Sequence, residues 1–159
     1  VMRVLFVCLG NICRSPTAEG VFRQRLDAAG LAERVDVDSC GTAGWHIGKA
    51  PDPRTRDAAA SRGYDLAALR ARQLQDDDFH AFDYLLAMDH ANLAELEARR
   101  PPGCRAHLGL FLDFAGSPGQ AVPDPYYGGA EGFDRVLDLV EAAADGLVSE
   151  LERRLEARS

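Results

Sequence analysis

No run of apolar residues in this chain approaches the length of a membrane span, and no secretory segment precedes the first apolar run. Neither a membrane nor an exported protein is therefore expected. Cysteine is sparse, with four residues in 159. Without a secretory segment these read as free thiols of a reducing cytosol. Cys8 and Cys13 form a C-x4-C pair with no second pair and no histidine beside it, a poor zinc pattern, so no metal is expected. Neither G-x-x-x-x-G-K-[ST] nor G-x-G-x-x-G occurs, which removes the common nucleotide-binding loops. Positive charge is in deficit, 18 Lys and Arg against 25 Asp and Glu for a net charge of −7, and this disfavours nucleic acid as a partner. Repeats, low-complexity tracts and linkers are also missing. At 47% hydrophobic content, residues 1–159 read as one globular domain, with Val1 ahead of Met2 set aside from the fold argument.

What is present starts with Cys8-Leu9-Gly10-Asn11-Ile12-Cys13-Arg14-Ser15, directly after the apolar run Val4-Leu5-Phe6-Val7. Pro16 suits a first helical turn, so the octapeptide reads as a short loop between a buried strand and a helix. A loop this short can curl the backbone N–H groups of residues 9–14 around one tetrahedral anion, with the helix N-terminus aimed at the same point. There the helix end and Arg14 both favour the thiolate of Cys8, the nucleophilic form of cysteine. The Arg14 guanidinium offers a planar bidentate donor for phosphate oxygens. Gly10 is expected to supply a backbone angle other residues resist, and Asn11 a left-handed turn with its side chain bonding its own loop. Ser15 is a candidate donor to the thiolate and, compatibly with that, a candidate helix N-cap. The chemistry indicated is attack on a phosphate ester.

Apolar runs and helical patterns alternate along the rest of the chain. Strands are expected at 3–8, 34–39, 84–88 and near 106–108, with helices over 17–29, 53–62, 91–99 and 131–157. Asp52-Pro53 and Asp89-His90 are suitable helix starts, and Pro101-Pro102-Gly103 a stop. The final segment repeats Phe133, Val136, Leu137, Val140, Ala144, Leu147, Val148, Leu151 and Leu155 at helical spacing, read as a core stripe. The fold class expected is α/β: a parallel four-stranded sheet flanked by helices, a flavodoxin-like three-layer sandwich. Ligands of such sheets bind beyond the carboxyl ends of the strands, where the Cys8 loop falls.

With its C-x5-R-S octapeptide near the start and Asp124-Pro125-Tyr126-Tyr127 far downstream, the chain resembles the low-molecular-weight protein tyrosine phosphatases. Residues 39–46, Asp52-Pro53-Arg54, Ala71-Arg72-Gln73-Leu74 and Ala87-Met88-Asp89 extend the resemblance over nearly the whole length. It implies Cys8 as nucleophile, Arg14 as phosphate ligand and Asp124 as general acid and then base, through a phosphocysteine intermediate. It also implies an aromatic slot of Leu9, Trp45, Tyr126 and Tyr127 that selects phosphotyrosine, with His46 at its rim. Supporting roles fall to Ser15, Asn11, Ser39 and Asp89, and Asp89 is expected both to cap a helix and to order Arg14. Cys8 and Cys13 are a candidate redox pair. No cofactor is implied. The expected partners are tyrosine-phosphorylated proteins, a tyrosine kinase among the candidates, met by a monomer or weak dimer in the cytoplasm.

The family often carries a histidine that braces the loop asparagine, where this chain has Leu69; Asn11 is then expected to lean on Ser39 in a less rigid loop. Cys40 stands where a small non-thiol residue is common. Arsenate reduction would need a cysteine relay, for which Cys40 and Cys104 are not a close pair in sequence. A protein-arginine phosphatase usually has threonine at the position of Ile12. A non-catalytic binding or redox-sensing module would be expected to lack the thiol, the arginine or the acid, and all three are present.

Overall fold

The computed structural model describes residues 1–116, 118–125 and 129–157. Strands β1 (Met2–Cys8), β2 (Val35–Gly41), β3 (Tyr84–Ala87) and β4 (His107–Leu110) form one sheet in the order β2-β1-β3-β4. Every pairing is parallel. Between and after them lie α1 (Arg14–Ala28), α2 (Pro53–Ala60), α3 (Asp78–Ala81), α4 (His90–Arg99) and α5 (Ala130–Ala157), with a 3-10 turn at Phe111–Ala115. This is the expected flavodoxin-like α/β fold.

Its layers follow from the period of the strand. Met2, Val4, Phe6 and Cys8 enter the larger core with α1 and α5, while Leu5 and Val7 enter the smaller one with Phe79 and Leu96. A strand covered on both faces needs apolar residues at successive positions, which explains the unbroken run ending at Cys8. The stripe on α5 is buried at all nine positions from Phe133 to Leu155, as core packing requires. Truncating one of its leucines to alanine costs about 2–5 kcal/mol. Gly146 lets that helix lie against the 3-10 turn, because a Cβ there would collide with the Phe114 carbonyl.

The helix starts at Asp52 and Asp89 are present as side-chain caps, accepting from the N–H of Arg54 and of Asn92. Other boundaries differ from expectation. Helix α1 begins at Arg14 rather than 17, since Thr17 closes the first turn by donating both its N–H (3.3 Å) and its hydroxyl (2.7 Å) to the Cys13 carbonyl. Cys13 therefore occupies the cap position, and Ser15 is not the N-cap. Strand β4 runs to Leu110 because it pairs with β3 through Ala87↔Leu110, a tertiary decision with no local signal. Helix α3 and the 3-10 turn are too short for periodicity to reveal. No helix among the described residues is long and apolar enough to cross a membrane.

Candidate active site

The last register pair of β1 with β2 joins Cys8 to Gly41, so the loop after Cys8 leaves the carboxyl edge of the sheet and enters α1 directly. Its carbonyls are taken from outside. Thr42 N–H donates to Cys8 O (2.9 Å), Ala43 N–H to Leu9 O (3.0 Å) and Asp52 N–H to Ile12 O (2.8 Å). A loop whose carbonyls are drawn outward turns its amide N–H groups inward, which makes an anion cup. The Asn11 N–H points at Cys8 Sγ, 3.2 Å away. Gly41 permits this close docking of β2, because a Cβ there would stand 2.6 Å from Leu9 O.

Asn11 takes the left-handed turn, with φ 60°, and Gly10 does not. The expectation that Gly10 supplies an unusual angle is thus corrected. Space constrains it instead, since a Cβ would stand 3.0 Å from His46 Cδ2. The strained asparagine is held on three sides. Its Oδ1 accepts from Arg72 N–H (3.0 Å), and its Nδ2 donates to Ser15 Oγ (2.8 Å) and Ser39 Oγ (3.0 Å). Leu69 meanwhile packs against the larger core. The Arg72 segment is itself pinned, because the guanidinium bridges both Asp78 oxygens (3.0 and 3.1 Å) and reaches Asp38 (2.9 Å).

Ser15, fully buried, places its hydroxyl 2.9 Å from Cys8 Sγ. The Arg14 guanidinium is held from behind by Asp89 Oδ2 (2.6 Å) and the Val122 carbonyl (3.1 Å), while its Nη2 faces Asp124 Oδ2 at 3.7 Å. Asp89 uses its other oxygen to cap α4, so one carboxylate links that helix to the arginine. Val122 is in turn tied by its N–H to Met88 O (2.7 Å), bringing the segment that carries Asp124 to the end of β3.

These groups surround a cavity of about 160 Å³ lined by Cys8, Leu9, Gly10, Ile12, Cys13, Arg14, Trp45, His46 and Asp124. Leu9 and Trp45 are exposed at its mouth, Trp45 by 69%. The other two slot candidates, Tyr126 and Tyr127, lie outside the described residues. Burial pushes the Cys13 thiol up from an ordinary 9.0 to about 11, with Asp52, Cys8 and Asp124 adding to the rise. Burial likewise raises Cys40 well above its usual range. All four cysteines are free.

Glu19 escaped the sequence reading. It is a buried carboxylate that accepts from Ser39 Oγ at 2.7 Å and from Arg23 at 2.8 and 3.0 Å. Its one-turn spacing from Ser15 was the available signal, visible only once that helix face was known to be inward. The donors Thr42, Ala43, Asp52 and Arg72 act through backbone N–H groups, which no residue type announces.

Fold and cup together describe a class: α/β enzymes whose thiol lies under an amide-lined anion site at the carboxyl edge of a parallel sheet. The sequence model of the low molecular weight phosphotyrosine protein phosphatases matches residues 3–157. The enzyme of that description from Schizosaccharomyces pombe is 49% identical over 152 residues, covering 93% of this chain and 96% of its own. A low molecular weight protein-tyrosine-phosphatase of Streptomyces coelicolor is 45% identical over 161 residues, covering 99% and 98%. The crystal structure of a protein tyrosine phosphatase from Entamoeba histolytica with Hepes in the active site gives a TM-score of 0.91 at 42% identity, covering 96% and 98%. The chain belongs to the low molecular weight phosphotyrosine protein phosphatase family and is a protein-tyrosine phosphatase.

Proposed function

We propose that Cys8, Arg14 and Asp124 divide the hydrolysis of protein phosphotyrosine among them. Cys8 attacks phosphorus while the amide cup and Arg14 hold the non-bridging oxygens, which carry the developing charge. Asp124 gives a proton to the departing tyrosine oxygen, leaving a phosphocysteine and a neutral phenol. Asp124 then takes a proton from water, the water oxygen bonds to phosphorus, and the Cys8–phosphorus bond breaks to release phosphate. Sulfur leaves as a thiolate, and the Ser15 hydroxyl and Asn11 N–H are placed to receive that charge. Asp89 and the Val122 carbonyl keep Arg14 aimed.

The observation that carries this reading is the outward anchoring of the Cys8, Leu9 and Ile12 carbonyls around a thiol. Leu9 and Trp45 at the mouth support an aryl rather than a short alkyl ester, because a phosphoserine would not bring its phosphate to the cup. The arsenate-reductase, arginine-phosphatase and binding-module readings are not favoured: Cys40 is fully buried in β2 at one sheet edge and Cys104 precedes β4 at the other. The proposal extends to phosphotyrosine proteins of the cytoplasm, a tyrosine kinase among them, met by a monomer or weak dimer of one domain. It also includes Cys8 and Cys13 as a reversible redox pair. The test is phosphate release from a phosphotyrosine peptide, with EDTA and reductant, by the parent and Cys8→Ser. Turnover lost in the variant supports the reading, and a folded but inactive parent overturns it.

A further inference from the structure

Asp124 lies between two anchors of unlike kind. On one side Val122 is tied through its N–H to Met88 O (2.7 Å) and through its carbonyl to Arg14 (3.1 Å). On the other side Pro125 has no N–H to donate and is held by packing. Its ring is buried in a cleft lined by Cys13, by Thr55 and Ala58 of α2, and by Phe133, Val136 and Leu137 of α5. Phe133, 4% exposed, is the largest of these side chains. Gly132 brings the first turn of α5 against the proline, since a Cβ there would stand 3.6 Å from Pro125 Cβ. The residue before a proline is restricted to extended backbone, so Asp124 has little freedom relative to that ring and moves with it.

Phe133 is in turn fixed to the phosphate loop. The guanidinium carbon of Arg54 lies 4.9 Å from its ring centroid, a cation–π contact. Arg54 Nε and Nη2 each donate to the Asp52 carboxylate at 3.1 Å, and the Asp52 N–H donates to Ile12 O at 2.8 Å. A continuous path therefore runs from Ile12 through Asp52, Arg54 and Phe133 to Pro125, the neighbour of the acid. We propose that Phe133, steadied by Arg54, is a positioning residue that seats Pro125 and so sets where the Asp124 carboxyl stands relative to the cup. Phe133 is absent from the lining of the catalytic cavity and acts only through the proline. Proton transfer needs the carboxyl within hydrogen-bond reach of the departing oxygen, and a misplacement of about 1 Å costs up to about 10²-fold in rate. The cup holds phosphorus and the cleft holds the acid, and the Arg54 contact keeps the two in one frame.

The inference rests on Asp124 being the acid of the proposed reaction, and its test reads the acid separately from the thiol. kcat/KM is measured for phenyl phosphate, whose basic leaving oxygen needs a proton, and for dinitrophenyl phosphate, whose leaving group departs without one. Asp124→Asn, the reference for a lost acid, is expected to raise the dinitrophenyl-to-phenyl ratio by about 10²-fold or more. Phe133→Leu is expected to raise it by about tenfold. Arg54→Met leaves the core intact, covers the case in which Phe133→Leu does not fold, and is expected to raise the ratio by about threefold. Added to Asp124→Asn, Phe133→Leu should raise the ratio no further, because the group it positions is already gone. A merely structural loss lowers both esters alike and leaves the ratio unchanged, and that outcome overturns the proposal. So does a further rise in the double variant, or Cys8 alkylation by iodoacetamide that slows in step with the loss. A folded parent that cleaves neither ester, or an Asp124→Asn ratio equal to the parent's, overturns the reaction on which the inference rests. An unchanged ratio in Phe133→Leu, beside a parent and an Asp124→Asn that behave as expected, sinks the positioning role alone.

Discussion

Cys8 and Cys13 belong to one octapeptide and are both buried, yet they stand in opposite surroundings. The Asn11 N–H donates to Cys8 Sγ at 3.2 Å, the Ser15 hydroxyl stands 2.9 Å from the same sulfur, and Arg14 lines the same cavity. Around Cys13, burial and the carboxylates of Asp52 and Asp124 oppose charge and push the thiol up to about 11. Residue type is the same, so reactivity is decided by what the fold aims at each sulfur. The loop thus holds one sulfur that receives a hydrogen bond from its own loop and one whose charged form burial opposes.

The widest separation should come from substitution. Cys8→Ser is expected to lower phosphotyrosine turnover by at least about 10⁴-fold, and Cys13→Ala by about tenfold or less, measured as kcat/KM. Equal losses would break the contrast. Asp124→Asn is expected to cut kcat by about 10²–10⁴-fold while Cys8 alkylation stays near the parent rate, which would separate the acid's work from the thiol's. Slowed alkylation in that variant would mean that Asp124 also orders the cup.

Competitive labelling sharpens the comparison further. Iodoacetamide at pH 6.5, read by mass spectrometry, should modify Cys8 at least about a hundredfold faster than Cys13, whose thiolate grows only as pH nears 11. The smallest effect is on stability. A thiol at 9.0 when unfolded and about 11 when folded binds more protons in the native state between those values. Stability should therefore be full below pH 9 and fall as pH rises toward 11. Cys40, raised by burial, adds to the same loss. The alkaline fall in melting temperature should be shallower in Cys13→Ala, and an unchanged slope would remove Cys13 from the account.

The octapeptide, the alternation of strands and helices, the α5 stripe and the caps Asp52 and Asp89 were legible because each is a local pattern with a local cause. Spacing along the chain dictates which way a strand or helix residue points, and a cysteine, an arginine and a helix start within eight positions have few uses. Asp124 was legible only beside Pro125, Tyr126 and Tyr127. The parallel pairing with β3 decided where β4 ends, since a strand's extent depends on its neighbour.

The tertiary structure also decided which residue bears the left-handed turn, Asn11 and not Gly10, and that Ser15 serves the sulfur rather than the helix end. It brought Asp89, Val122 and Asp124 to Arg14, and Ser39 to both Asn11 and Glu19, across separations no local pattern spans. The sequence by itself determined which chemical groups this protein owns and the layers that carry them. Only the folded chain determined how they act, because hydrogen-bond direction and desolvation depend on distances between segments far apart in the chain.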